Sequence, residues 1–196
     1  MIWFSSDHHF YHSNVIRYCS RPYRSIEEMN ADLVQKWNEV VMPEDTVYYL
    51  GDFALAHRAV EVYTPLLNGT KHLIMGNHDF PHPAHPRGRK QGVKWKQLYL
   101  DYGWNSVELT KTMEIGGELV HLNHLPYTAS HPRAKYNMYE SPETRPLICG
   151  HVHEKWKIKI SGNKYLMYNV GVDVHNMYPV SIDTVAKELL NGVEVS

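Results

Sequence analysis

Short apolar runs of strand length recur along this chain, and five of them stop at residues able to bind a cation. They cover Ile2 to Ser5, Thr46 to Leu50, Lys71 to Met75, Leu119 to Asn123 and Pro146 to Cys149. Each is bounded by polar or Gly residues, as strands are. Helical patterns lie between several of them. Ser25-Ile26-Glu27-Glu28 is a capping box, and Met29, Leu33, Trp37 and Val40 follow at spacings of three and four, giving one apolar face. Further helices are expected over 55–67, stopped by Asn68-Gly69, and over 93–102. Strands alternating with helices predict an α/β layered core.

The later part of the chain changes character. Gly116-Gly117 and Ser161-Gly162-Asn163 each join alternating apolar segments, which reads as two hairpins, and a closing helix is expected from Ser181 to Leu190. The expected architecture is α/β, with two sheets or a large mixed sheet flanked by helices. With 196 residues, no internal repeat and no linker, a single domain over 1–196 is expected. Two long irregular stretches, 80–92 and 126–145, stand out, because loops of that length in a compact domain are often functional.

Charge and cysteine content exclude several classes. Lys plus Arg is 20 and Asp plus Glu is 21, so no global field favours a polyanion or a membrane surface. No run approaches the roughly 18 apolar residues needed to span a bilayer, and the first residues do not form a signal peptide. The two cysteines, Cys19 and Cys149, make no disulfide framework and no thiolate cluster. A cytoplasmic protein without a membrane partner is expected. The 14 histidines raise the odds of metal or acid–base chemistry without establishing either.

The strand ends carry the chemistry. "FSSDHH" puts Asp7 and His9 past the first strand, "YYLGD" puts Asp52 past the second, and "LIMGNHD" puts Asn77, His78 and Asp79 past the third. "LVHLNHLP" ends near His124, and "LICGHVH" brings His151 and His153. Ligands of α/β sheets gather at the carboxyl ends of strands, so these groups can converge on one rim. Two Asp, one Asn and four His form an oxygen and imidazole set suited to Mn, Fe, Zn or Ni. Seven groups exceed the needs of one tetrahedral ion and point to two divalent ions, with Asp52 as the natural bridge.

The ordered set Asp7-x-His9, Gly51-Asp52, Gly76-Asn77-His78-Asp79, His124 and Gly150-His151-x-His153 resembles the signature of calcineurin-like metallophosphoesterases. The trailing "NVGVD" at 169–173 is similar to small bacterial and phage-type members. The resemblance implies a ββ sandwich with flanking helices and no cap domain. It implies that Asp7, His9, Asp52 and His153 hold one ion, manganese foremost, and that Asp52, Asn77, His124 and His151 hold the second. It further implies a metal-bridging hydroxide as nucleophile, with His78 approaching the phosphate to protonate the leaving oxygen or stabilise developing charge, and Asp79 orienting the His78 ring.

Some positions compete with the signature. His121 lies three residues before His124, but strand alternation and the "His-Leu-Pro" context favour His124. His8 and His12 flank the first ligand turn, where they can touch substrate or orient a ligand, and Asn14 and Asn169 are candidates for the same supporting role. The basic cluster Arg87, Arg89, Lys90, Lys94 and Lys96 offers phosphate contacts, and Tyr127, Arg133, Lys135 and Tyr136 offer stacking groups. The expected substrates are phosphate esters, foremost phosphodiesters such as nucleotides. A monoesterase, a nuclease acting on nucleic acid and an inactive binding scaffold are the alternatives.

Overall fold

The computed structural model describes residues 1–127 and 138–191 of the chain. Five strands form the first sheet in the order β10-β1-β2-β3-β4: β1 (Ile2–Ser5), β2 (Thr46–Tyr49), β3 (Thr70–Ile74), β4 (Trp104–Glu108) and β10 (Val180–Ser181). The first four run parallel, and β10 joins β1 antiparallel at the edge. The second sheet has the order β5-β6-β7-β9-β8, from β5 (Lys111–Ile115), β6 (Glu118–Leu122), β7 (Leu147–Cys149), β8 (Ile158–Ile160) and β9 (Leu166–Asn169). Both expected hairpins form, Gly116-Gly117 joining β5 to β6 and the turn at 161–163 joining β8 to β9.

The period-2 pattern of the central strands sorts side chains between two apolar layers. Phe4, Ile74, Ile115, Leu122, Ile148 and Tyr168 pack between the sheets with Val185 and Leu189 of α5 (Ile182–Asn191). Val47, Tyr49, Leu73 and Val107 turn the other way, towards Met29, Leu33 and Trp37 of α2 (Ile26–Val40) and Tyr99 of α4 (Pro86–Asp101). Ser25 Oγ accepts from Glu28 N, while Glu28 reaches back to Arg24 N, so the capping box starts α2 as read. The two-sheet α/β architecture is the expected one.

Four elements differ from expectation. A short α1 (Ser13–Tyr18) follows the first ligand turn, and β4 pairs with β3 where no strand was read. Helix α3 (His57–Tyr63) is shorter than 55–67 and tightens into a 3-10 turn at Thr64–Leu66. Pro65 has no N–H to return to the preceding turn, so α-helical bonding stops there. Helix α4 begins at Pro86 rather than near 93, so the irregular stretch after β3 ends at His85. His85 caps it by accepting from Arg87 N, with Pro86 in the first turn, and a kink at Gln91 interrupts it.

Candidate metal centre

The parallel direction of β1, β2 and β3 sends their carboxyl ends to one rim, and β6, β7 and β9, parallel to one another, send theirs to the same place. Bridges between Ser6 and Gly171 and between Phe10 and Ala54 lace these loops together beyond the strands. The rim backbone is strained. Asp7, His9, Asp52, His151 and His153 all have positive φ, between 51° and 72°. Non-glycine residues pay about 1–2 kcal/mol each for that conformation, so tertiary contacts hold them there.

Those contacts leave one face of each carboxylate open. Asp7 Oδ2 accepts from Ser6 Oγ and from His151 N, while Oδ1 is buried without a hydrogen-bond partner. Asp52 Oδ1 accepts from His78 N at 2.8 Å. Asp52 Oδ2 lies 3.6 Å from His9 Nε2 on one side and 3.3 Å from His124 Nε2 on the other. A single oxygen of Asp52 thus faces both sets of imidazoles. Nitrogens His9 Nε2 and His153 Nε2 stand 3.8 and 3.9 Å from Asp7 Oδ1, and His151 Nδ1 stands 3.2 Å from His124 Nε2. Donors that share one ion at about 2.1 Å lie no more than about 4.2 Å apart, and these spacings meet that limit.

Asp7-His9-His153 and Asp52-His124-His151 are thus two of three groups within the described residues that could hold an ion; the third, Cys19-His153-Glu154, shares His153 with the first. The buried and unpartnered Asp7 Oδ1, His9 Nε2 and Asn77 Oδ1 are the atoms a cation would satisfy. The electrostatics agree. Burial opposes charge on His124, yet Asp52 and Asp7 outweigh it and raise its pKa to about 9. His153 is likewise opposed by burial and still lifted to about 11 through Asp173, Cys19 and Asp7. Burial drives His9 well below its usual range. The carboxylates that draw protons onto His124 and His153 draw metal cations for the same reason.

The structure brings together Asp7, His9, Asp52, His124, His151 and His153, while Asn77 follows Gly76 in the loop held to Asp52, its Oδ1 buried without a hydrogen-bond partner. His121 instead points outward to Thr112 and Thr144. His78 keeps an exposed ring, 47% accessible, with Nε2 4.0 Å from Asp52 Oδ2. Asp79 departs from its expected role. Its carboxylate accepts from Gly76 N, Asp52 N and Phe53 N at 2.7, 2.9 and 3.1 Å. It clamps the loops after β2 and β3 and, among the described residues, makes no hydrogen bond to the His78 ring through which to orient it.

Gly76 also has a different reason from the one expected of a turn. Its φ is not positive, but a Cβ there would stand 2.5 Å from Asp52 N. His8 faces the helix-side core, with Nδ1 2.9 Å from Tyr49 Oη, and burial together with Arg21 lowers its pKa to about 3. His12 lines a cleft of about 370 Å³ with His9, His78, Val15, Tyr18 and Lys155. Asn169 donates to His153 O and Trp156 O.

The proposed substrate contacts fare less well. Arg87 lies over the rings of Phe80 and Trp95, 4.7 and 5.4 Å from their centroids, and neither it nor Arg89 lines the cleft beside His78. Tyr127 is buried and donates to Arg145 O, so it offers no stacking face. Arg133, Lys135 and Tyr136 lie outside the described residues. Sequence reading missed two members of the centre, Arg21 and Asp173. Asp173 accepts from His153 Nδ1 at 2.8 Å and from Arg21 Nε at 2.7 Å. The "NVGVD" stretch was the available signal for Asp173, while Arg21 had none.

The model of the calcineurin-like phosphoesterase superfamily domain matches residues 1–176, and the chain belongs to that family of metal-dependent phosphoesterases. Within it, the chain is 33% identical over 199 residues to an uncharacterized protein of Methanocaldococcus jannaschii, covering 97% of this chain and 92% of that protein. It is 30% identical over 204 residues to the Gene 66 protein of Mycobacterium phage D29, covering 98% and 97%. Among solved structures, a protein of unknown function from Aquifex aeolicus superposes with a TM-score of 0.66 at 26% identity, covering 95% of this chain and 98% of that one. No helix among the described residues is long and apolar enough to cross a membrane.

Proposed function

We propose that the chain is a two-metal phosphodiesterase acting on nucleotide-type diesters, with Asp7, His9, Asp52 and His153 around one ion and Asp52, Asn77, His124 and His151 around the other. The carrying observation is Asp52 Oδ2, which lies within 3.6 Å of His9 Nε2 and 3.3 Å of His124 Nε2. Bound there, a pair of divalent ions, manganese foremost, would activate water as the nucleophile at neutral pH and offset the charge of the phosphate.

The chain's own residues do the rest. His78 opens onto the cleft with Nε2 4.0 Å from Asp52 Oδ2, which supports a role in giving the departing alcohol oxygen its proton. The backbone bond from His78 N to Asp52 Oδ1 holds that loop in place. Beyond His78 the cleft continues along α1, where His12 donates to the phosphate and Val15 and Tyr18 receive the alcohol. That room beside the leaving-group position favours a diester over a small monoester.

The test is a parallel assay on p-nitrophenyl phosphate, bis(p-nitrophenyl) phosphate and a cyclic nucleotide with Mn²⁺, Zn²⁺ and Ni²⁺, with Asp52→Ala as control. Diesters are expected to be cleaved fastest. His78→Ala should lose more on esters with poor leaving groups than on nitrophenyl esters, whose oxygens depart without a proton. Failure to hydrolyse any of the three in any metal would overturn the assignment.

A further inference from the structure

The two halves of the centre are supported differently. His124 Nδ1 donates to a neutral backbone oxygen, Leu50 O, at 2.7 Å, which turns Nε2 towards Asp52. His153 Nδ1 donates to a carboxylate, Asp173 Oδ2, at 2.8 Å, which turns Nε2 towards Asp7. An imidazole whose N–H is held by a carboxylate carries more electron density on its other nitrogen than one held by a carbonyl, and is the stronger ligand.

Asp173 is itself secured by a buried cation. Arg21 and Asp173 are 152 residues apart and have side chains 0% and 1% exposed. Nε of Arg21 donates to Asp173 Oδ1 at 2.7 Å, and one terminal nitrogen donates to Oδ2 at 2.9 Å. The same guanidinium reaches the backbone oxygens of Asp7 at 2.6 Å and His8 at 2.9 Å, and its last donor meets Met29 Sδ at 3.5 Å. All five of its donors are used. One side chain thus ties the positive-φ turn that carries Asp7 and His9 to the segment that fixes the His153 ring. No equivalent ion pair backs His124 among the described residues.

We propose that the Arg21–Asp173 pair is a positioning unit that makes the ion held by Asp7, His9, Asp52 and His153 the tighter of the two and the first to load. The proposal rests on the two-ion reading above. Neither residue lines the cleft, so both act through His153 and the first ligand turn rather than on substrate.

Calorimetric titration of the metal-free chain with Mn²⁺ tests it. Two binding steps are expected. His153→Ala should abolish the tight step and His124→Ala the weak one. Asp173→Asn should weaken the tight step roughly 10–100-fold and leave the weak step within about twofold. In a His153→Ala background, Asp173→Asn should change nothing further. Equal weakening of both steps, an unchanged tight step, or loss of the tight step in His124→Ala would each overturn the proposal.

Should Asp173→Asn not fold, the wild-type chain loaded with Zn²⁺ still decides. Its imidazole nitrogen spectrum must show His153 bound through Nε2 with a proton on Nδ1, and binding through Nδ1 would overturn the proposal. A single binding step in the wild type would instead refute the two-ion reading. Asp173→Asn would then be judged on that step, an unchanged affinity being refutation.

Discussion

Replacing Gly76 by Ala puts one methyl group where two loops already touch. The new Cβ would stand 2.2 Å from Asp52 Oδ1 and 2.5 Å from Asp52 N, against an ordinary contact of roughly 3.5 Å, so the loops after β2 and β3 must part by about 1 Å. Asp79 Oδ2 accepts from both Asp52 N and Gly76 N at this spot, so the movement also pulls on the clamp. Overpacking costs about 1–3 kcal/mol, and the upper end applies where the obstacle is backbone. At about 2–4 °C per kcal/mol for a domain of this size, the melting temperature of the metal-free chain should fall by about 6–12 °C. Mn²⁺ binding should weaken at both steps, because Asp52 Oδ2 moves relative to both His9 and His124. Gly117→Ala is the control. Gly117 has φ +87° with nothing within 4 Å of its Cβ, so only about 1–2 kcal/mol of backbone strain is added and metal binding should not change. If Gly76→Ala melts no lower than Gly117→Ala and binds Mn²⁺ like the wild type, the close approach of these loops is not what makes the position glycine.

Other perturbations separate structural from chemical roles. His121→Ala should keep both Mn²⁺ steps and change stability by no more than about 0.5 kcal/mol, whereas His124→Ala should lose one ion; equal metal content in the two variants would count against the assignment of His124. His8 is buried and held to a pKa of about 3 by burial and Arg21. Its contribution is complete above its unfolded value near 6.5 and is lost as pH falls towards 3, at up to about 1.4 kcal/mol per pH unit. His8→Phe should therefore flatten the fall of melting temperature between pH 6.5 and 4 in the metal-free chain, and an unchanged slope would exclude His8 as its source. Chelation should lower the melting temperature, and returning free metal to about 100 times its dissociation constant should restore about 2.7 kcal/mol. A melting temperature indifferent to metal would mean that the imidazole and carboxylate groups hold none.

How far the site could be read in advance differs from residue to residue. The order of the candidate ligands was legible because each group follows an apolar run whose strand character is a local property. His124 was separable from His121 because side chains alternate along a strand, and the structure buries His124 while His121 turns outward to Thr112 and Thr144. Asp79 was misread because its neighbour His78 suggested a partner. Which donors its carboxylate meets depends on the approach of Asp52 and Phe53, 27 and 26 residues away. Helix α4 was hidden behind Gly88, Gly92 and three prolines, although the cap at His85 and Pro86 was in view. Gly88 is there for room, since a Cβ would stand 2.0 Å from His82 O.

Periodicity and capping residues set the strands, the start of α2, both hairpins and the list of chemically competent groups. Such signals act over a few residues, so they survive in a linear reading. Packing chose which oxygen of Asp52 faces both imidazole sets, sent His8 into the core and His12 to the cleft, and joined Arg21 to Asp173. Those outcomes depend on hydrogen bonds between segments distant in the chain, and a buried donor or acceptor takes whichever partner the folded layers bring within about 3 Å.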